Sequence, residues 1–260
     1  MVYAERYNKT TVDYGEEVDE MALFKKIRNS RRRFCTAIVA AAGSSTRMGA
    51  GFNKLLAPLG GVPVLAWTLR ALDQASTIDA IVIAAREEDI LTFCELCRTY
   101  GIQKPVKVVR GGANRTESVL LAALEADPRT ELLAVQDGAR PLVTVKLIDE
   151  VVLKADRCNA AVPVVPVKDT IKVVADDHVS STPDRSALRA VQTPQVFEAS
   201  LLKAALRAVL DADAPQTDDS AAVERLGKQV YLVDGDDSNI KITSPIDLVI
   251  GEAILAERRR

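Results

Sequence analysis

The chain has 260 residues, is 48% hydrophobic and carries a formal net charge of -2, enough for one large α/β domain or two small ones. That balance excludes a protein that coats nucleic acid, which would show a basic excess, and no apolar run approaches the roughly 18 residues of a membrane span. Any anion site has to be built locally, from clustered Arg and Lys. Residues 1–33 differ in composition and read as a loosely held N-terminal extension. Within it "EEVDEMALFKKIRNSRRR" begins acidic and ends basic, the order that suits the dipole of one short helix. It lacks the apolar centre of a secretory signal, and the charge run "RNSRRR" reads as solvated.

From Cys35 onward strand and helix patterns alternate. "CTAIVAAA" is a short β-branched run bounded by Gly43 and predicts a buried strand. Pro63 is expected to open a helix through "PVLAWTLRALDQA". "AIVIAA" follows as a strand, and "EEDILTFCELCRTYG" as a helix closed by Gly101. Cys94 and Cys97 in that helix lie one turn apart among apolar residues, so they read as core thiols; with Cys35 and Cys158 they fit a reducing cytoplasm. "VKVVR", the helix "RTESVLLAALEA", the strand "LLAVQ", another helix and the strand "AAVPVVPV" continue the alternation. Residues 168–195 break it, and their acidic turn "ADDHVSS" predicts a β-hairpin projecting as an arm. Two helices, the strand "QVYLVDG", the segment "NIKIT" and a final helix from Pro245 complete the chain. The pattern specifies an α/β fold: a Rossmann-like, mostly parallel sheet with helices on both faces, plus the arm, over residues 34–260.

Ligands of such sheets bind outside the carboxyl ends of the strands. Three loops there are chemically loaded: Gly43 to Lys54, Gly111 to Ser118 and Asp137 to Arg140. Glycines let backbone N–H groups approach a phosphate, and Arg47 and Lys54 add full charges. The first loop is neither a Walker A nor a G-x-G-x-x-G motif. Asp137 either caps a turn or faces Mg²⁺ held mainly by phosphates, for which one carboxylate is enough. Asp184 and Arg185, "QTPQ", "TDD" and "NIKIT" form a second polar set; Thr217 fits as the N-cap of "DDSAAVERLG". Lys241, between Ile240 and Ile242, would face opposite to both in a strand. His178 is the sole histidine, so histidine-based triads and proton shuttles are not available.

The ordered set "AAAGSSTRMG", "NKLLAPLGGVPVL", "GGANRTESV", "VQDGARP", "VPVKDTIK", "DRSALRAVQTPQVF", "TDDSAAVE" and "NIKITSPIDL" resembles the 2-C-methyl-D-erythritol 4-phosphate cytidylyltransferases from about Thr36 to the end. The resemblance implies a fold of the nucleotide-diphospho-sugar transferase type. It also implies transfer of CMP from CTP to methylerythritol phosphate with release of pyrophosphate, in the non-mevalonate isoprenoid pathway. By that resemblance Arg47 and Lys54 stabilise the transition state, while Arg185 and Lys241 hold the attacking phosphate. Ala41, Ala42, Gly43, Gly112, Ser118, Asp137 and Gly138 bind CTP, with Asp137 near Mg²⁺. Arg140, Thr170, Thr193 and Thr217 go with the sugar-phosphate substrate. The arm, carrying Thr170, reaches the partner subunit of a homodimer. Departures are Ala113 where an acid is frequent, Arg189 for an aromatic, Ile246 for an acid and Gln136 for a histidine.

Two alternatives are a ribitol-5-phosphate cytidylyltransferase and a nucleotide-binding regulator without turnover. Ala42, Gly138, Ala139 and Lys168 favour the methylerythritol enzyme over the first, and the pair Arg47 and Lys54 speaks against the second. No fused second catalytic domain, no nucleic-acid partner and no membrane association are expected.

Overall fold

The computed structural model describes residues 32–43, 53–214 and 216–258. The predicted extension up to residue 31 and the loop 44–52, with Arg47 in it, lie outside the described residues. Arg33, read above as part of the extension, is tied to the main body: its Nε is 2.8 Å from Asp156 Oδ1 and its Nη2 donates to the Ala155 carbonyl.

Among the described residues, eight strands form the central sheet. On one side of β1 (Cys35–Ala41) lie β4 (Ala80–Ala85) and then β5 (Val106–Arg110), all parallel. On the other side β1 pairs with β6 (Leu132–Asp137), again parallel. The chain therefore winds outward from β1 first one way and then the other, which makes the β1/β6 boundary the switch point of the sheet. Beyond β6 come β11 (Gln195–Glu198) and β7 (Ala160–Pro166), the former antiparallel to both neighbours. β10 (Arg189–Val191) pairs antiparallel with β7, and β12 (Tyr231–Asp234) pairs with it in parallel. The mostly parallel sheet is as the alternation predicts.

Side chains of β1 alternate between two cores. Cys35, Ala37, Val39 and Ala41 face the first, which packs α1 (Val64–Gln74), α2 (Ile90–Thr99), α4 (Val145–Cys158) and α7 (Pro245–Arg258). Ile38 faces the second, covered by α3 (Arg115–Leu124), α5 (Ala199–Asp211) and α6 (Asp219–Arg225). Helices thus cover both faces. In α4 the buried residues Leu147, Ile148, Val151, Val152 and Ala155 follow helical spacing and form one apolar stripe. Each buried Leu, Ile or Val contributes about 1.5–3 kcal/mol, against 0–1 for an exposed ion pair, so these cores rather than surface charges hold the scaffold. Cys97 belongs to the first core, and burial pushes its thiol up to about 11, which keeps it protonated.

The arm forms as expected: β8 (Val173–Ala175) and β9 (His178–Ser181) are an antiparallel pair apart from the main sheet. Local details differ from the sequence reading. Pro63 is the residue before α1 and pairs with Pro58 in a small hairpin, β2 (Pro58–Leu59) with β3 (Val62–Pro63), that sequence reading did not anticipate. Asp218, not Thr217, caps α6, because its carboxylate accepts the Ala221 N–H at 3.0 Å. "NIKIT" is irregular rather than a strand, although Ile242 is buried and Ile240 packs on the core as the alternation suggested. "QVFE", to which the sequence reading gave no strand, is β11, an interior strand of the sheet.

Candidate active site

A cavity of about 350 Å³ opens at the carboxyl ends of the strands, between the loops after β1, β5 and β6. Ala41, Ala42 and Gly43 line it where β1 ends. Lys54 enters from the loop that follows, which is fixed at Asn53. The Asn53 amide donates to Asp89 Oδ2 at 3.0 Å and its carbonyl oxygen accepts the Leu55 N–H. Asp89 is itself clamped by Arg86 Nε at 2.7 Å, so a buried carboxylate beyond β4 anchors the base of the lysine.

The loop after β5 is shaped by its glycines and by a helix cap. A side chain at Gly111 would run into Ala42 Cβ at 2.6 Å and Ser118 Oγ at 2.9 Å, so glycine is needed for the two loops to meet. Ser118 Oγ accepts the Gly112 N–H at 3.0 Å and donates to the Asn114 carbonyl at 2.7 Å. Asn114 caps α3 by accepting the Glu117 N–H, while Glu117 reaches back to the Ala113 N–H. The N-terminus of α3 is thereby fixed against the cavity, with Gly112 and Ser118 on its wall.

Asp137 closes β6 and forms the floor. Only 7% of it is exposed, and three cations converge on it: Lys241 Nζ at 3.0 Å, Arg140 Nε at 3.4 Å and Arg115 Nη2 at 3.7 Å. Burial alone would raise its carboxyl pKa. The three cations outweigh that and hold it below the usual carboxylate range. Arg115 also lies 2.7 Å from Asp219 Oδ2, a contact whose geometry leaves that oxygen without an aligned hydrogen bond. Asp219 is 1% exposed, and burial pushes its carboxyl up, with Arg115 partly offsetting the rise. Arg115 and Asp219 were not among the expected site residues. An arginine at a helix start reads as a solvated cation, and its buried partner arrives from about a hundred residues later. The only signal was an Arg inside the loop "GGANRTE" together with the acids of "TDD".

The expected residues fall into four groups. Ala41, Ala42, Gly43, Lys54, Gly112, Ser118, Asp137 and Lys241 all line the cavity. Gly138 lies beneath it; its N–H donates to the Ala40 carbonyl, and an added Cβ would meet Ala40 O, Leu65 and Val39 at 3.2–3.3 Å. Arg140 braces the floor, donating to the Asn239 carbonyl at 2.6 Å. Thr193 is buried and its Oγ1 accepts the Asp137 N–H at 3.1 Å, a supporting position. Thr217 is exposed before α6. Thr170 and Arg185 are exposed on the arm, where Arg185 Nη1 donates to the Lys168 carbonyl at 2.7 Å. Arg47 lies outside the described residues.

A cation-rich cleft at the switch point of a doubly wound sheet, with glycine loops and a helix N-terminus on its wall, defines a nucleotide-handling α/β protein. The comparisons narrow the class. The family model for IspD, 2-C-methyl-D-erythritol 4-phosphate cytidylyltransferase, matches residues 35–257. The protein of that name from Bacillus cytotoxicus is 45% identical over 225 residues, 86% of this chain and 99% of the relative. The one from Caldanaerobacter subterraneus is 43% identical over 85% of this chain and 98% of its own. Among solved structures, 4-diphosphocytidyl-2C-methyl-D-erythritol synthase from Anaerococcus prevotii superposes with a TM-score of 0.77 at 30% identity, covering 86% of this chain and 96% of that one. The Thermus thermophilus cytidylyltransferase gives 0.69 at 32% identity, covering 86% and 99%. The chain belongs to the 2-C-methyl-D-erythritol 4-phosphate cytidylyltransferase family.

Proposed function

We propose that the cleft holds CTP and that the phosphate of methylerythritol phosphate attacks its α-phosphorus there. The chain is a nucleotidyltransferase of the isoprenoid precursor pathway: it transfers CMP from CTP to that phosphate and releases pyrophosphate. What carries the site assignment is the convergence of Lys54, Arg115 and Lys241 on one cavity around a buried carboxylate.

The chemistry suits these residues. The acceptor phosphate is mostly a dianion at pH 7, its second pKa being about 6, so it needs no general base. One acceptor oxygen forms the new bond to the α-phosphorus as the bond from that phosphorus to the bridging oxygen breaks. The electron pair leaves with pyrophosphate. Two polyanions must be held in line while charge grows on the leaving group, and fixed cations do this. Lys54, with Arg47 on the loop outside the described residues, is assigned to the triphosphate and the developing charge. Lys241 and Arg185 are assigned to the attacking phosphate. Gly43, Gly112 and Ser118 shape the nucleotide's wall. Thr170 and Thr217 belong to the acceptor's side, with Arg140 and Thr193 bracing the floor.

Mg²⁺ fits one position. Among the described residues no group of three acidic, histidine or cysteine ligands exists. Asp137 Oδ1, which faces Arg115 at 3.7 Å, would serve as a single donor to an ion held mainly by triphosphate oxygens and water. Bound there, Mg²⁺ would neutralise charge on the transferring phosphoryl group.

We assign residues 34–260 to the catalytic domain and the arm within 168–195 to a homodimer contact. Ile171, Val173, Val174, Val179 and Val191 are exposed along it, an apolar surface that a single chain leaves uncovered. Sedimentation velocity on the purified chain reports the dimer directly. The four cysteines are unpaired thiols, which supports a reducing cytoplasm as the working compartment. No described helix is long and apolar enough to cross a membrane.

Pyrophosphate release from CTP, with methylerythritol phosphate and separately with ribitol 5-phosphate, tests the reading. Turnover with the first alone is expected. Turnover with ribitol phosphate alone would overturn the acceptor, and silence with both would favour a regulator.

A further inference from the structure

The loop that carries Lys241 makes more buried polar contacts than its place near the chain's end requires, and those contacts converge on one residue. Asn239 is fully buried. Its Nδ2 donates to the Thr193 carbonyl at 3.0 Å and to Gln192 Oε1 at 3.3 Å, and its own carbonyl accepts from Arg140 Nη1 at 2.6 Å. Gln192 has its orientation set by Asp236, which offers both a donor and an acceptor. Gln192 Nε2 donates to the Asp236 carbonyl at 2.8 Å, and Oε1 accepts the Asp236 N–H at 3.2 Å. That leaves Oε1 facing Asn239 Nδ2. Gly235 permits the approach, since a Cβ there would meet Gln192 Oε1 at 2.8 Å and Val164 O at 3.0 Å.

The other side of the cleft rests on the same segment. Thr193, next to Gln192, accepts the backbone N–H of Asp137 through Oγ1 at 3.1 Å. Ile242, next to Lys241, donates its N–H to the Ala139 carbonyl at 2.8 Å. Lys241 and Asp137, which face each other at 3.0 Å, are thus both fastened to Gln192–Thr193, the root of the arm. Lys168, at the other root, adds an ion pair to Asp237 at 2.9 Å.

We propose that Asn239 is a positioning residue for the transfer reaction, forming with Gln192 a buried bracket that sets where Lys241 stands relative to Asp137. The inference rests on the assignment of Lys241 to the acceptor phosphate. Asn239 touches no reacting atom in this arrangement and acts only through its neighbour two residues on. A misplacement of about 1 Å in a positioned group can cost on the order of a hundredfold in rate, so a bracket of this kind is worth keeping.

The test is a double-mutant cycle on pyrophosphate release. Asn239→Asp is nearly isosteric but turns an oxygen toward the Thr193 and Gln192 carbonyl oxygens. It is expected to lower kcat/KM for methylerythritol phosphate by about tenfold or more, the scale of coupling between contacting residues, while the dissociation constant of Mg·CTP alone moves less than about twofold. In a Lys241→Met background the same change is expected to add less than about twofold. Additive losses in the cycle, or an equal loss of CTP affinity, would overturn the bracket while leaving the assignment of Lys241 intact. Full turnover in Lys241→Met alone would overturn both. Gln192→Glu enters the same cycle should Asn239→Asp not accumulate as folded protein. It sets an oxygen against the Asp236 carbonyl and a buried negative charge beside Asn239, which disturbs the bracket from its other end, and the same non-additivity is expected of it.

Discussion

The floor of the cleft and the projecting arm both carry cations assigned to one reaction, yet they are built on opposite terms. At the floor Lys241, Arg140 and Arg115 surround a carboxylate that is almost wholly buried, and each cation has a partner within the same chain. On the arm Arg185 is exposed, held by one bond to the Lys168 carbonyl, with bare valines nearby along β8 and β9. The floor is finished by its own fold. A single chain leaves the arm's apolar side chains uncovered, and on the homodimer reading proposed above a second copy covers them beside Arg185.

The contrast can be attacked from its strong end first. Lys54→Ala should lower kcat by about 10²–10³, the cost of one transition-state donor in a water-poor site, with the melting temperature nearly unchanged. Steady-state turnover beside a thermal melt decides this, and unaltered kcat would remove Lys54 from the mechanism. Arg185→Ala should be milder and of a different kind. A charged hydrogen bond is worth about 1.5–3 kcal/mol, so KM for the sugar phosphate should rise about 10- to 100-fold with KM for CTP unaffected. A shift in both constants would mean that the arm shapes the whole cleft.

The weakest expected effect lies beside the Lys241 loop. Asp247 accepts the N–H and hydroxyl of both Thr243 and Ser244, at 2.8–3.0 Å, and so caps α7. Burial is the largest single influence and pushes its carboxyl up, but those four donors together outweigh it and hold the group below the usual range. A carboxyl lowered on folding stabilises the protein above its unfolded pKa of about 3.8 and loses that contribution as pH falls through its folded value. Asp247→Ala should therefore cost about 1 kcal/mol at pH 7, the usual worth of a cap. The difference should shrink as pH falls below 3.8 and through the folded value, and denaturant melts in a descending series from pH 7 would check it.

Much of the scaffold could be read from the chain because its parallel strands are buried on both sides. Runs such as "AIVIAA" and "LLAVQ" are continuous, β-branched and bounded by turn residues, which leaves little ambiguity. β11 escaped because "QVFE" is four residues long and follows Pro194; only its neighbours in space, β6 and β7, make it a strand. In the site, Lys241 was conspicuous as a cation between two isoleucines. Its orientation follows from the burial of Ile242, even though no strand forms. Arg115 was inconspicuous because its role depends on Asp219 and Asp137, which only folding brings to it. Thr217 was read as the cap of α6, and its neighbour Asp218 takes that place because its carboxylate accepts the Ala221 N–H and the Ser220 hydroxyl.

The way the arm joins the sheet has a practical corollary. Pro166 and Arg189 are register partners, so the segment leaves and re-enters the body at adjacent points. Such an excursion can be lengthened, trimmed or exchanged for that of a relative as a cassette, without asking any central strand to move. The tip formed by β8 and β9 can thus diversify while Arg185 and the root at Gln192 and Thr193 stay committed to the chemistry proposed for the pocket.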